Sequence, residues 1–159
     1  MIARRCGGRV SSVAIAGQGY PPRVPNPPPP LDPDRTLDAT LGFEVLEAGP
    51  ELARGRFPAT ERTMQPYGLV HGGAYAALAE SLASIATARA VAEDGMIAVG
   101  LSNHTSFLRP ITAGTVHAEA RRRHRGRTTW LWEADFSDDE GRLCSLARVT
   151  IAVRPRPDG

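Results

Sequence analysis

At 159 residues, 42% of them hydrophobic, the chain has the length of one domain and enough apolar material for one packed core, which argues against a second domain. Its formal charge is only +2, but all nineteen basic residues are arginine and ten fall at or after Arg109, a bias that suits phosphate oxygens better than a membrane surface. Cys6 and Cys144 cannot build a disulfide framework, and so few cysteines fit a reducing, cytoplasmic setting.

Residues 1–30 differ in kind from the rest: Arg and Gly first, then Tyr20-Pro21-Pro22-Arg23-Val24-Pro25-Asn26 and the run Pro27 to Pro30. Without apolar periodicity they read as a disordered arm, with extended polyproline that could serve as a spacer or an SH3-type ligand. The apolar piece Val10 to Ala16 is interrupted by serines and too short to span a membrane, and no cleavage pattern follows it, so neither a signal peptide nor a membrane anchor is expected.

A domain is expected over 31–155. Leu31 to Leu41 reads as a short helical turn capped by Asp32 or Asp34, and Leu41–Ala48 and Glu51–Ala59 as two strands hinged at Gly49-Pro50. A loop follows from Thr60 to Gly73, then a helix to about Ala92, closed by Asp94-Gly95. In the strand Met96 to Leu108, alternation would put Val99, Leu101, Asn103, Thr105 and Phe107 on one face and Ser102, His104 and Ser106 on the other. Thr115–Arg123, Thr128–Ser137 and Leu143–Val153 supply three more strands. One long helix against about six strands predicts an α+β layer, with an antiparallel sheet wrapping the helix.

The chemistry concentrates where the loop meets the helix, in Gln65-Pro66-Tyr67-Gly68-Leu69-Val70-His71-Gly72-Gly73 running into Ala74 to Ala88. The first N–H groups of a helix lack internal partners and carry the positive end of its dipole, and glycine lets a ligand approach. Such a hinge can hydrogen-bond an oxygen that gains negative charge in acyl transfer. The helix is apolar nearly all round, which predicts burial, yet Glu80 sits in its middle. A carboxylate there would lose hydration and be paired, hydrogen-bonded or raised in pKa, as proton transfer or nucleophilic attack requires. Ser84, one turn on, shares its face.

The pattern Gln65…His71-Gly72-Gly73…Glu80-Ser81…Ser84, with Phe107-Leu108-Arg109-Pro110 and Asp139-Glu140-Gly141-Arg142-Leu143-Cys144 downstream, resembles the hotdog-fold acyl-CoA thioesterases from about Leu41 to Val153. It is most similar to the branch acting on 4-hydroxybenzoyl-CoA and 1,4-dihydroxy-2-naphthoyl-CoA, which carries Glu on the central helix where the phenylacetate-pathway branch has Asp. The resemblance implies a hotdog fold and hydrolysis of an aryl- or medium-chain acyl-CoA to the acid and free coenzyme A, without metal or redox cofactor. Glu80 would attack the thioester carbon or activate a water. The Gly72 N–H would polarise the thioester oxygen, Gln65 would orient substrate or water, Ser84 would position water, and His71 would support the loop.

Arg109 and the hairpin residues Arg125, Gly126 and Arg127 are the candidates for the coenzyme A phosphates. Some naphthoyl-CoA relatives have a His where this chain has Phe107, which implies a more apolar acyl pocket and a wider substrate range. His104, three residues away along the strand, faces the other way and cannot replace it.

Other functions fit less well. The basic run Arg121-Arg122-Arg123-His124-Arg125-Gly126-Arg127 has no interleaved aromatic residues and no nucleic-acid-binding module beside it. The four histidines have no cysteine partners and no zinc spacing. A Gly-x-Ser-x-Gly elbow is absent, as is the His-Phe-Pro-like motif of a hotdog dehydratase. A non-catalytic acyl-CoA sensor would carry a helix-turn-helix that a proline-rich arm cannot form, and a scaffold working through the arm would leave Glu80 dispensable.

Helix geometry adds a constraint. Gly72 and Glu80 are eight residues apart, so they lie about 12 Å apart along the helix axis. A thioester oxygen on the Gly72 N–H must have its carbon within ~3–3.5 Å of the attacking atom, a gap no glutamate side chain spans. If both act on one substrate, Gly72 of one subunit faces Glu80 of another, and the smallest active unit is a two-fold dimer with composite sites. The resemblance implies further pairing into tetramers.

Overall fold

The computed structural model describes residues 32–157; the expected amino-terminal arm lies outside them. Asp32 caps a single 3₁₀ turn, Pro33–Arg35, and Thr36 caps the short helix α1, Leu37–Leu41. Gly42, at φ 70°, ends α1 in the left-handed conformation that glycine adopts freely, which is why the first strand begins at Glu44 rather than at the expected Leu41.

Strands β1 (Glu44–Ala48) and β2 (Leu52–Pro58) form the first hairpin, and the central helix α2 spans Gly72–Val91. Four strands follow: β3 (Met96–Phe107), β4 (Thr115–Arg125), β5 (Thr129–Ser137) and β6 (Leu143–Pro155). All pairings are antiparallel in the order β1-β2-β4-β5-β6-β3, so β1 and β3 are the sheet edges.

Alternation separates the two faces of the sheet. Phe57, Val116, Trp130, Trp132 and Phe136 point inward and are buried against α2. The outer face carries a cross-strand charge ladder, Glu44–Arg56, Glu47–Arg54–Glu119 and Arg123–Glu133–Arg148. Opposite charges on neighbouring strands of a solvated face support the register the buried face requires.

Two expectations are corrected here. Helix α2 is not buried all round: Ala74, Tyr75, Leu78, Ala79, Leu82, Ala83, Ala86, Thr87 and Val91 are buried, but Glu80 is exposed and Ala76, Ala77, Ser81, Ser84 and Ile85 only half-buried. One chain's sheet covers one side of the cylinder. The second correction concerns β3. A bulge between Gly100 and Ser102 shifts its register by one residue, so Val99 lies on the outer face, opposite Asn103 and Phe107. On the helix side, Met96 and Ala98 pack on the core, Gly100 meets Glu80, the Asn103 amide donates to the Ala76 carbonyl at 2.9 Å and Phe107 touches Tyr75.

Candidate active site

The loop before α2 is built from its own backbone. The buried Thr63 hydroxyl bonds the Pro58 and Thr60 carbonyls, the His71 N–H donates to the Thr63 carbonyl, and Val70 is tied to Ile111. These bonds place His71 as the N-cap of α2, where its Nδ1 accepts the Gly73 N–H at 2.8 Å. A ring nitrogen that accepts carries no proton, so the ring N–H of His71 is at Nε2. Capping satisfies Gly73 and leaves Gly72. Among the described residues the Gly72 N–H has no hydrogen-bond partner, and it stands at the positive pole of a 20-residue helix.

Beside it is a cleft of about 490 Å³ lined by Gln65, His71, Gly72, Tyr75, Phe107 and Arg109 with their neighbours. Its walls are mostly apolar: Leu69, Val70, Leu108 and Pro110 contribute to them. Phe107 lies so close to the helix start that a Cβ on residue 72 would come within 2.5 Å of its ring. A side chain at 72 would therefore force the Phe107 ring to move.

Glu80 and Ser84 are not in this cleft. They open on a second one, about 420 Å³, shared with Leu37, Asp38, Ala77, Ser81 and Ile85. Glu80 rests against Gly100 of β3, while the Ser81 hydroxyl donates to Asp38 at 2.8 Å and ties α1 to α2. Each chain thus has two clefts along α2, one beside Gly72 and one beside Glu80, about two turns of helix apart.

The arginines are divided as well. Arg109 follows the end of β3, beside the first cleft, whereas the hairpin carrying Arg125, Gly126 and Arg127 is level with Val99 through the pairing of Thr129 with Ala152 and of Ala152 with Val99. From Val99 to Phe107 at about 3.3 Å per residue is roughly 25 Å, so Arg109 and the hairpin lie at opposite ends of one sheet. Arg125 is also engaged, its guanidinium 5.1 Å from the centroid of the Trp130 ring, whose other neighbour is Arg122.

Sequence reasoning passed over Tyr75, Gly100 and Asp38. A lone glycine inside a strand signals a bulge or a close approach, and that signal could have found Gly100. Tyr75 was hidden in an alanine-rich helix, and Asp38 takes its place only once α1 folds back on α2. Among the described residues no three His, Cys, Asp or Glu side chains converge as a metal site would need. None of the described helices is long and apolar enough to cross a membrane.

Residues 67–145 match the family model described as the thioesterase superfamily. The chain is 41% identical over 122 residues to the proofreading thioesterase EntH of Klebsiella pneumoniae, covering 76% of this chain and 87% of the relative. Among solved structures, a mutant of thioesterase PA1618 from Pseudomonas aeruginosa is similar with a TM-score of 0.74 at 37% identity, covering 77% of this chain and 88% of that one. Thioesterase HI1161 from Haemophilus influenzae gives 0.72 at 35%, covering 76% and 84%. Its six-stranded antiparallel sheet around one long helix, read with these likenesses, assigns the fold: the chain belongs to the thioesterase superfamily and is a hotdog-fold thioesterase.

Proposed function

We propose that the enzyme hydrolyses an aryl- or medium-chain acyl-CoA to the carboxylic acid and free coenzyme A, in a two-fold dimer whose composite sites each take Gly72 from one subunit and Glu80 from the other. The observation that carries this reading is the separation of a Gly72 N–H with no partner among the described residues, in one cleft, from an exposed Glu80 in another. The thioester oxygen accepts the Gly72 N–H, which stabilises the charge that grows there as the carbonyl carbon is attacked. Glu80 of the facing subunit either attacks the carbon itself or takes a proton from a water that does, with Gln65 and Ser84 as orienting groups. The carbon–sulfur bond then breaks and the thiolate leaves, taking up a proton as free coenzyme A; on the route where Glu80 itself attacked, a water then hydrolyses the acyl–Glu80 anhydride, releasing the acid and restoring the carboxylate. No metal or redox group is needed for these steps.

The dimer reading is supported by β3, an edge strand of twelve residues with Val99 and Leu101 exposed at 45% and 56%. Long edge strands that expose apolar side chains are ordinarily covered or blunted. A two-fold axis beside β3 would bring the Arg109 end of one sheet toward the hairpin end of the other, so that Arg109, Arg125 and Arg127 could serve one nucleotide only across subunits. Pairing of dimers into tetramers and a cytoplasmic location belong to the same reading, the latter resting on cysteine usage alone.

A thiol-release assay over a panel of aryl- and alkyl-CoA esters tests the activity, with light scattering for the assembly. Turnover of at least one ester by an assembled dimer or tetramer is expected, and Glu80→Ala should lower kcat by at least ~10²-fold without changing the melting curve. Failure to release thiol from any ester, or full activity as a monomer, would overturn the reading.

A further inference from the structure

The first cleft has a polar group that the proposed chemistry leaves unused. Tyr75 is one turn into α2, 3% exposed, with its ring packed among Phe57, Phe107 and Phe136 at centroid distances of 6.0, 6.1 and 5.3 Å. Its hydroxyl makes no hydrogen bond to any described residue, yet among those residues no fully buried side-chain oxygen or nitrogen lacks a partner. The hydroxyl is therefore not fully buried, and the cleft that Tyr75 lines is the one it shares with Gly72 and Phe107.

We propose that Tyr75 is a specificity-determining residue, whose hydroxyl hydrogen-bonds a ring hydroxyl of the acyl group bound in the apolar cleft beside Gly72. This deepens the acyl-CoA thioesterase reading and rests on it. On the mostly apolar wall of the cleft a phenol favours an acyl group that offers it an oxygen over the analogue without one, because the Tyr75 hydroxyl would otherwise lose hydration without gaining that partner. Burial pushes the Tyr75 phenol up to about 12, so at neutral pH it keeps its proton and can donate as well as accept. The aromatic surroundings suit a planar acyl group: Phe107 offers a ring face where a polar residue would have offered a hydrogen bond, and the contact it lacks comes from the helix side instead.

The test compares wild type with Tyr75→Phe on benzoyl-CoA and on its 2-, 3- and 4-hydroxybenzoyl counterparts, scoring kcat/KM. The exchange removes one oxygen and keeps the ring among its three phenylalanines, and thermal melting checks that the fold is retained. Wild type should prefer at least one hydroxylated ester over benzoyl-CoA. The variant should lose roughly tenfold on that ester while staying within about threefold on benzoyl-CoA. Equal losses on all four esters, or no loss on any, would overturn the Tyr75 assignment and leave the thioesterase reading in place. No hydrolysis of any ester by wild type would overturn both.

Discussion

A Cβ on residue 100 would lie 2.8 Å from Oε1 of Glu80, so Gly100 is the surface on which the carboxylate rests. The contact joins the middle of α2 to the bulge of β3, and it sets where a nucleophile or base would stand. Gly100 is not among the residues at positive φ, so alanine is compatible with its backbone and the substitution perturbs the contact alone. Gly100→Ala should displace Glu80 by a fraction of an ångström to an ångström and lower kcat by about 10- to 100-fold, because reaction rates fall steeply with misplacement on this scale. KM and the melting temperature should change little. An unaltered kcat would show that Glu80 does not act from the position it holds against Gly100.

Much of the fold could be read from the chain because its local signals agree with one another. The glycine-flanked loop, the proline-free alanine-rich helix and the hairpins at Gly49-Pro50 and Gly141 each specify their own geometry. What could not be read depends on contacts between distant segments. The bulge at Leu101 reverses the face of Val99, and strand alternation has no means of anticipating a one-residue shift. The candidate site residues could be named from the chain, but their placement in two separate clefts follows from the path of α2, which carries Gly72 and Glu80 apart.

The buried face of α2 has one polar anchor. The Trp132 indole N–H donates to the Thr87 hydroxyl at 2.9 Å, and both residues are fully buried. Thr87→Val keeps the shape and removes the acceptor, leaving a desolvated donor, which costs about 1–3 kcal/mol. Denaturant unfolding should register that loss, and adding Trp132→Phe should cost less than the two single changes summed, since the orphaned donor is gone. Strict additivity would mean that the bond contributes nothing.

On the outer face, Arg148 and then Arg123 hydrogen-bond Glu133 and hold its carboxyl below the usual glutamate range. In the unfolded chain Glu133 takes up its proton at about pH 4.3, in the folded protein lower. A depressed carboxylate contributes stability that is complete above the unfolded value and lost as pH falls through the folded one. The melting temperature of wild type should therefore exceed that of Glu133→Gln at pH 7, and the gap should close in acid below about pH 4. A gap that stays constant or widens on acidification would contradict the assignment.

The proposed composite site makes a prediction no single-chain site would share. Glu80→Ala leaves the Gly72 half intact, and Gly72→Ala, whose new methyl would meet the Phe107 ring, leaves the Glu80 half intact. Each variant alone should be inactive. In a heterodimer the two lesions fall on the same composite site, so the other site pairs a native Gly72 with a native Glu80. Random exchange in an equimolar mixture makes half the dimers mixed, each with one of two sites restored, so about a quarter of wild-type activity should return. Recovery should follow the kinetics of subunit exchange, measured in parallel by mixing subunits that carry donor and acceptor fluorophores. Exchange without recovery would show that Gly72 and Glu80 do not meet across subunits.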